Sequence, residues 1–155
     1  SIFGVIMKTK LNGLAMTQIE RRLDSLREIK GKSIVPNGWI KFIRKAMGLS
    51  STDLARLSNL SPRTVTQAER REVEGKVSIS TLKKMAEAME CDLVYSFVPR
   101  KSVRDTIKSK AKEKAIKRLE EAGLHMKLED QNAENNIQDQ IEVLAQKFID
   151  SGDVW

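Results

Sequence analysis

The sequence predicts a mainly α-helical chain with one strand, and three observations carry that expectation. Serine-led capping signals bracket short runs between Leu49 and Arg71. Apolar residues recur at helical spacing on both sides of that stretch, and a single run, Leu93 to Val98, alternates in the manner of a strand. With 155 residues, 40% of them hydrophobic, the chain can build one compact domain with appendages. Aromatics make up only 5%, so its core should be mainly aliphatic.

Taken in order, Ser1–Ile6 is apolar but well short of a membrane span or a secretory-signal core. From Met16 to Lys30, Ile19, Leu23 and Leu26 keep helical spacing and predict an amphipathic helix that packs on the next domain or on a second subunit. Gly31–Gly38 reads as a linker by its glycines and proline. Its Gly31-Lys32-Ser33 is no phosphate loop, because the glycine required five positions earlier would be Leu26. Trp39, Ile40 and Ile43 then turn a helix inward, with Lys41, Arg44 and Lys45 on its outer side as phosphate contacts or a solvated face.

Ser50 and Asp53 have the spacing of a capping box, with Leu49 and Leu54 placed to staple it, so a helix should start near Ser51. Asn59 falls where a left-handed residue can turn the chain. Ser61 can cap a second helix, Pro62 suits its first position, and Leu60 can staple to Val65. Two helices joined this closely make a helix-turn-helix. On the second helix Val65 and Ala68 turn inward, leaving Arg63, Thr64, Thr66, Gln67 and Arg70 on the polar side. Arginine can pair bidentately with guanine, glutamine with adenine, and threonine offers a hydroxyl and a methyl. The alternative is a solvated face on an ordinary helical hairpin.

Beyond it, Ser78 can cap a helix that buries Leu82, Met85, Ala86 and Met89. The alternating run Leu93, Val94, Tyr95, Ser96, Phe97 and Val98 predicts a strand stopped by Pro99. A lone strand needs a partner, so it is read as one half of an intermolecular two-stranded sheet in a homodimer, or as paired with the N-terminal Ile2–Met7 run. Lys101–Ala122 predicts a long basic helix with Val103, Ile107, Ala111, Ala115 and Leu119 on one narrow face, ended by Gly123. A last, acidic helix carries Ile137, Ile141, Leu144 and Phe148, a stripe that could dock on a partner or fold back on the basic helix.

Charge narrows the function. The net charge is +7 and the pI about 9.6, a balance that favours polyanions through counterion release. Residues 1–104 hold 20 basic and 10 acidic side chains, whereas residues 128–155 hold one lysine and seven carboxylates. The basic excess thus coincides with the helix-turn-helix. A single cysteine, Cys91, excludes an intramolecular disulfide and fits the cytoplasm. His125 is the only histidine and has no ligand-spaced partner. Glu69, Glu72 and Glu74 are read as serving the fold, and neither an enzyme active site nor a cofactor site is expected.

The run "GWIKFIRKAMGLSSTDLARLSNLSPRTVTQAERREVEGKVSISTLKKMAEAMECDLVYSFVPR", Gly38–Arg100, resembles the bacterial family called mobile mystery protein A. The likeness extends to "ERRLDSL" around Glu20 and "HMKLEDQ" from His125. It implies a lambda-repressor-like (XRE-type) helix-turn-helix in an antitoxin encoded beside a Fic-domain toxin. Three positions depart from the pattern: Ser58 stands where such domains usually bury a leucine, Asn59 where they have glycine, and Ser51 where many relatives have a base-reading glutamine. Ser109-Lys110-Ala111-Lys112-Glu113 also resembles the inhibitory helix of Fic regulators, but Lys114 replaces the glycine or asparagine that closes it.

The expected organisation is an arm and helix (residues 1–37), the DNA-binding domain with its terminal strand (38–100), and a partner-binding pair of helices (101–155). The implied function is a homodimeric antitoxin that represses its own operon on double-stranded DNA and neutralises a toxin. Arg63, Thr64, Thr66 and Gln67 would read bases; Lys41, Arg44, Lys45, Ser50, Ser61 and Arg70 would hold phosphates. The rivals are a stand-alone repressor without a toxin and an interaction-only inhibitor.

Overall fold

The computed structural model describes residues 13–32, 35–123 and 131–155, with the side chains of the last stretch from residue 134. Among these residues there are seven helices: α1 (Gly13–Ile29), α2 (Trp39–Ala46), α3 (Ser51–Ser58), α4 (Pro62–Val73), α5 (Ile79–Ala88), α6 (Val103–Glu121) and α7 (Gln131–Ser151). The described residues pack as two units, those within residues 28–97 and those within the flanking stretches 1–27 and 98–155.

In the first unit, α2 to α5 close around Ile40, Leu54, Ala55, Val65, Ala68, Met85 and Met89. Leu54, Val65 and Met85 are fully buried, each worth about 1.5–3 kcal/mol relative to exposure. Leu49 and Leu60, the residues expected to staple the two helix starts, are half-buried against this core. Ser58 shows how a hydroxyl replaces the leucine usual at its position: it is buried, and its Oγ donates to the Leu54 carbonyl at 2.7 Å. Ile40 is buried as expected, but Trp39 is 46% exposed and meets Phe42 edge to face, their ring centroids 5.8 Å apart.

The expected strand is not formed, and the fold is all-helical among the described residues. Leu93, Val94, Tyr95, Ser96, Phe97 and Val98 lie in irregular chain, with Phe97 92% exposed. Alternation makes a segment compatible with a sheet, but only a partner strand satisfies its backbone groups. No described residue supplies that ladder, and the Ile2–Met7 run lies outside the described residues. The inference of an intermolecular sheet loses its premise.

The second unit joins the basic and acidic helices. Ala111 and Ala115 of α6 are fully buried and let α7 approach closely, packing against Ile141, Ala145, Phe148 and Val154. Ile137 and Leu144 pack on the same cluster, so the α7 stripe folds back on α6. Charge reinforces the pairing: Lys112 meets Glu142 at 2.5 Å, and Lys114 reaches Asp153 at 2.7 Å while lying 4.9 Å from the Phe148 ring centroid. Gly123, at φ 84°, follows the C-terminal turn of α6. Helix α1 is tied to the first turn of α6 and the segment before it: Arg27 donates to the Pro99 and Lys101 carbonyls, and Glu20 accepts from the Arg104 N–H at 3.0 Å. His125 lies outside the described residues.

Candidate nucleic-acid interface

Local chemistry builds the two helices of the motif. The Ser50 hydroxyl accepts from the Asp53 N–H at 3.0 Å, and the Asp53 carboxylate accepts from the Ser50 N–H at 2.9 Å. The Ser50 hydroxyl in turn donates to Asp53 Oδ2 at 2.5 Å, and this bond first, then the one from the Ser50 N–H, holds the Asp53 carboxyl below its usual range. Helix α3 ends on Asn59, at φ 56° and ψ 40°. The Leu60 N–H then returns to the Ala55 carbonyl at 2.9 Å, which closes the turn. Ser61 accepts from the Thr64 N–H at 3.1 Å and Pro62 occupies the first position of α4.

With Val65, Ala68 and Glu69 buried, α4 leaves Arg63, Thr66, Gln67 and Arg70 on one exposed side; Thr64 is half-buried near its start. Arg63 and Gln67 make no side-chain hydrogen bond among the described residues. The Thr66 hydroxyl donates back to the Arg63 carbonyl at 3.0 Å. The Thr64 and Ser61 hydroxyls are 2.8 Å apart. Arg70 is paired with Glu74 at 2.8 Å while its side chain stays 81% exposed. Arg70 foremost, then Lys76, holds the Glu74 carboxyl below its usual range.

The other expected phosphate contacts separate. Lys45 is exposed on α2 and Lys41 half-buried, while the hydroxyls of Ser50 and Ser61 serve as helix caps at exposed positions. Arg44 turns inward instead. Its Nε meets Glu69 Oε1 at 2.6 Å, a second guanidinium nitrogen meets Oε2 at 3.2 Å, and a third contact reaches the Leu49 carbonyl at 3.0 Å. The hydrogen bond to Glu69 raises the Arg44 pKa, against a smaller opposing effect of burial. This pair links residues 25 apart, so no local pattern announces it.

The partner of Glu72 is likewise not announced by the sequence: its carboxylate accepts from the Trp39 N–H at 2.7 Å and the Ile40 N–H at 3.0 Å. The useful signal was Gly38: a helix whose N-cap residue has no side chain must find its acceptor elsewhere. Among the described residues no three His, Cys, Asp or Glu side chains are grouped to hold a metal ion. No helix there is long and apolar enough to cross a membrane.

A capped pair of short helices, with a polar face on the second, defines a helix-turn-helix of the DNA-binding type. Residues 40–96 match the family model described as helix-turn-helix, and this part of the chain is a lambda-repressor-like (XRE-type) domain. No curated protein and no solved structure matches the chain.

Proposed function

We propose that this protein is a sequence-specific DNA-binding transcriptional repressor that places α4 in the major groove. The observation that carries the reading is the exposed Arg63, Thr66, Gln67 and Arg70 face on the second helix of a capped helix-turn-helix. In this reading Arg63, Thr64, Thr66 and Gln67 meet base edges, while Lys41, Lys45, Ser50, Ser61 and Arg70 approach phosphates. Two copies on a pseudo-palindrome would read half-sites about one helical turn apart. Selection of bound duplexes from a random pool tests the reading. A preferred sequence should emerge, and Gln67→Ala should relax one position of it at a cost of about 1–3 kcal/mol. A Gln67→Ala protein with unaltered preference would refute its role.

The finer reading, an antitoxin neutralising a Fic-domain toxin, is supported only by the family resemblance of Gly38–Arg100 and of the segments around Glu20 and from His125. Because the α7 stripe packs on α6, a toxin would have to meet another surface. Expression of the adjoining reading frame with and without this chain decides it: growth arrest relieved by a copurifying complex supports the antitoxin, and neither toxicity nor complex leaves a repressor alone.

A further inference from the structure

We propose that Glu72 is a positioning residue, which sets the angle of the reading helix α4 by capping α2; the inference rests on the DNA-binding reading above. Four α4 side chains, Val65, Ala68, Glu69 and Glu72, follow one helical row opposite Arg63, Gln67 and Arg70. Two are small and apolar; the other two are carboxylates that engage opposite ends of α2. Glu69 holds Arg44 in the last turn. Glu72 takes the first two backbone N–H groups, Trp39 with one oxygen and Ile40 with the other.

Those donors have no acceptor on α2 itself, since the first N–H groups of any helix are orphans and the N-cap residue is Gly38. The carboxylate also opposes the positive end of the α2 dipole. Its approach depends on that glycine. Gly38 has φ 83°, and a Cβ there would lie 2.7 Å from Glu72 Oε2 and 2.8 Å from its carboxyl carbon. A side chain there would strain the backbone and push the Glu72 carboxylate off the two N–H groups.

Two anchors separated by five residues along α2, roughly 7.5 Å at 1.5 Å per residue, define a direction as well as a contact. Burial of Val65 and Ala68 holds α4 against the core, but apolar contact is non-directional. Charge-assisted hydrogen bonds at both ends resist rotation and tilt. The reading face lies on the far side of the same helix, so its presentation follows from the anchors. Base contacts demand placement to within about 0.5 Å.

The test uses the full chain and the duplex chosen by selection, with a random duplex as reference. Glu72→Ala removes the acceptors, Glu72→Gln keeps one and presents an NH₂ to the other donor, and Gly38→Ala displaces the carboxylate without changing charge. Affinities are measured at a temperature where circular dichroism shows each protein fully folded. If Glu72→Ala does not fold, Glu72→Gln carries the test. The expected result is a fall of about tenfold in the selected-to-random ratio, the order of one bidentate base contact. Random-duplex affinity should be equal or slightly higher, because a carboxylate is gone. Gly38→Ala should move the ratio the same way. A folded Glu72→Gln protein with lowered melting temperature and an unchanged ratio would overturn the proposal, because the cap then only stabilises. A parent protein with no preferred duplex would instead overturn the DNA-binding reading beneath it.

Discussion

Removing Glu69 should strand a charge that the protein has no means to discharge. The Arg44 and Glu69 side chains are only 12% and 9% exposed and meet through two nitrogen–oxygen contacts. A guanidinium stays protonated throughout the accessible pH range, so Glu69→Ala leaves Arg44 charged, largely desolvated and held by the Leu49 carbonyl alone. Breaking one side of a buried pair costs about 3–5 kcal/mol; the residual exposure of Arg44 places the loss near the lower end, about 3 kcal/mol. At a urea slope of about 1.5 kcal/mol per molar this moves the midpoint by roughly 2 M. The chain has two tryptophans, Trp39 and Trp155, so Trp155→Phe makes fluorescence a reporter of the α2 to α5 unit. In that background Arg44→Met with Glu69→Leu should recover to within about 1 kcal/mol of the parent, since an apolar pair of similar volume needs no desolvation. A Glu69→Ala loss below about 1 kcal/mol would make the pair equivalent to a surface one.

Salt dependence separates the cations of α2: Lys45→Ala should lower the log–log salt slope of DNA binding by about one, whereas Arg44→Met, already committed to Glu69, should leave it unchanged. The capping box predicts an acid effect. Asp53 has its carboxyl pKa depressed in the folded state, so its contribution is present above the unfolded pKa and lost as pH falls through the folded one. The stability gap between the parent and Asp53→Asn should therefore narrow in melts taken through the acid range, and a constant gap would contradict the assigned bonds. In the second unit Ala115 is fully buried between α6 and α7. Ala115→Leu should cost about 1–3 kcal/mol by overpacking, read by calorimetry. An unaffected melt would mean that the two helices do not approach there.

The anatomy of the motif was legible because its signals are local. Ser50 with Asp53, Asn59, and Ser61 with Pro62 each act over three or four residues, where backbone geometry alone brings the groups together. The helical periods of α1, α5, α6 and α7 were legible for the same reason. The strand failed because alternation states which face a segment could bury, while its formation depends on a partner elsewhere. Trp39 was assigned inward by its spacing, yet the short α2 buries Ile40 and leaves the indole beside Phe42.

Where helices begin, where they stop and which side chains share a face follow from short-range sterics and hydrogen bonding, and so can be read along the chain. Packing in three dimensions is what turns Arg44 to Glu69 rather than solvent, brings Glu72 back 33 residues to α2, and folds the α7 stripe on α6. Each depends on packing between elements distant in sequence, and a linear pattern names the groups without fixing which of several chemically equivalent partners they meet.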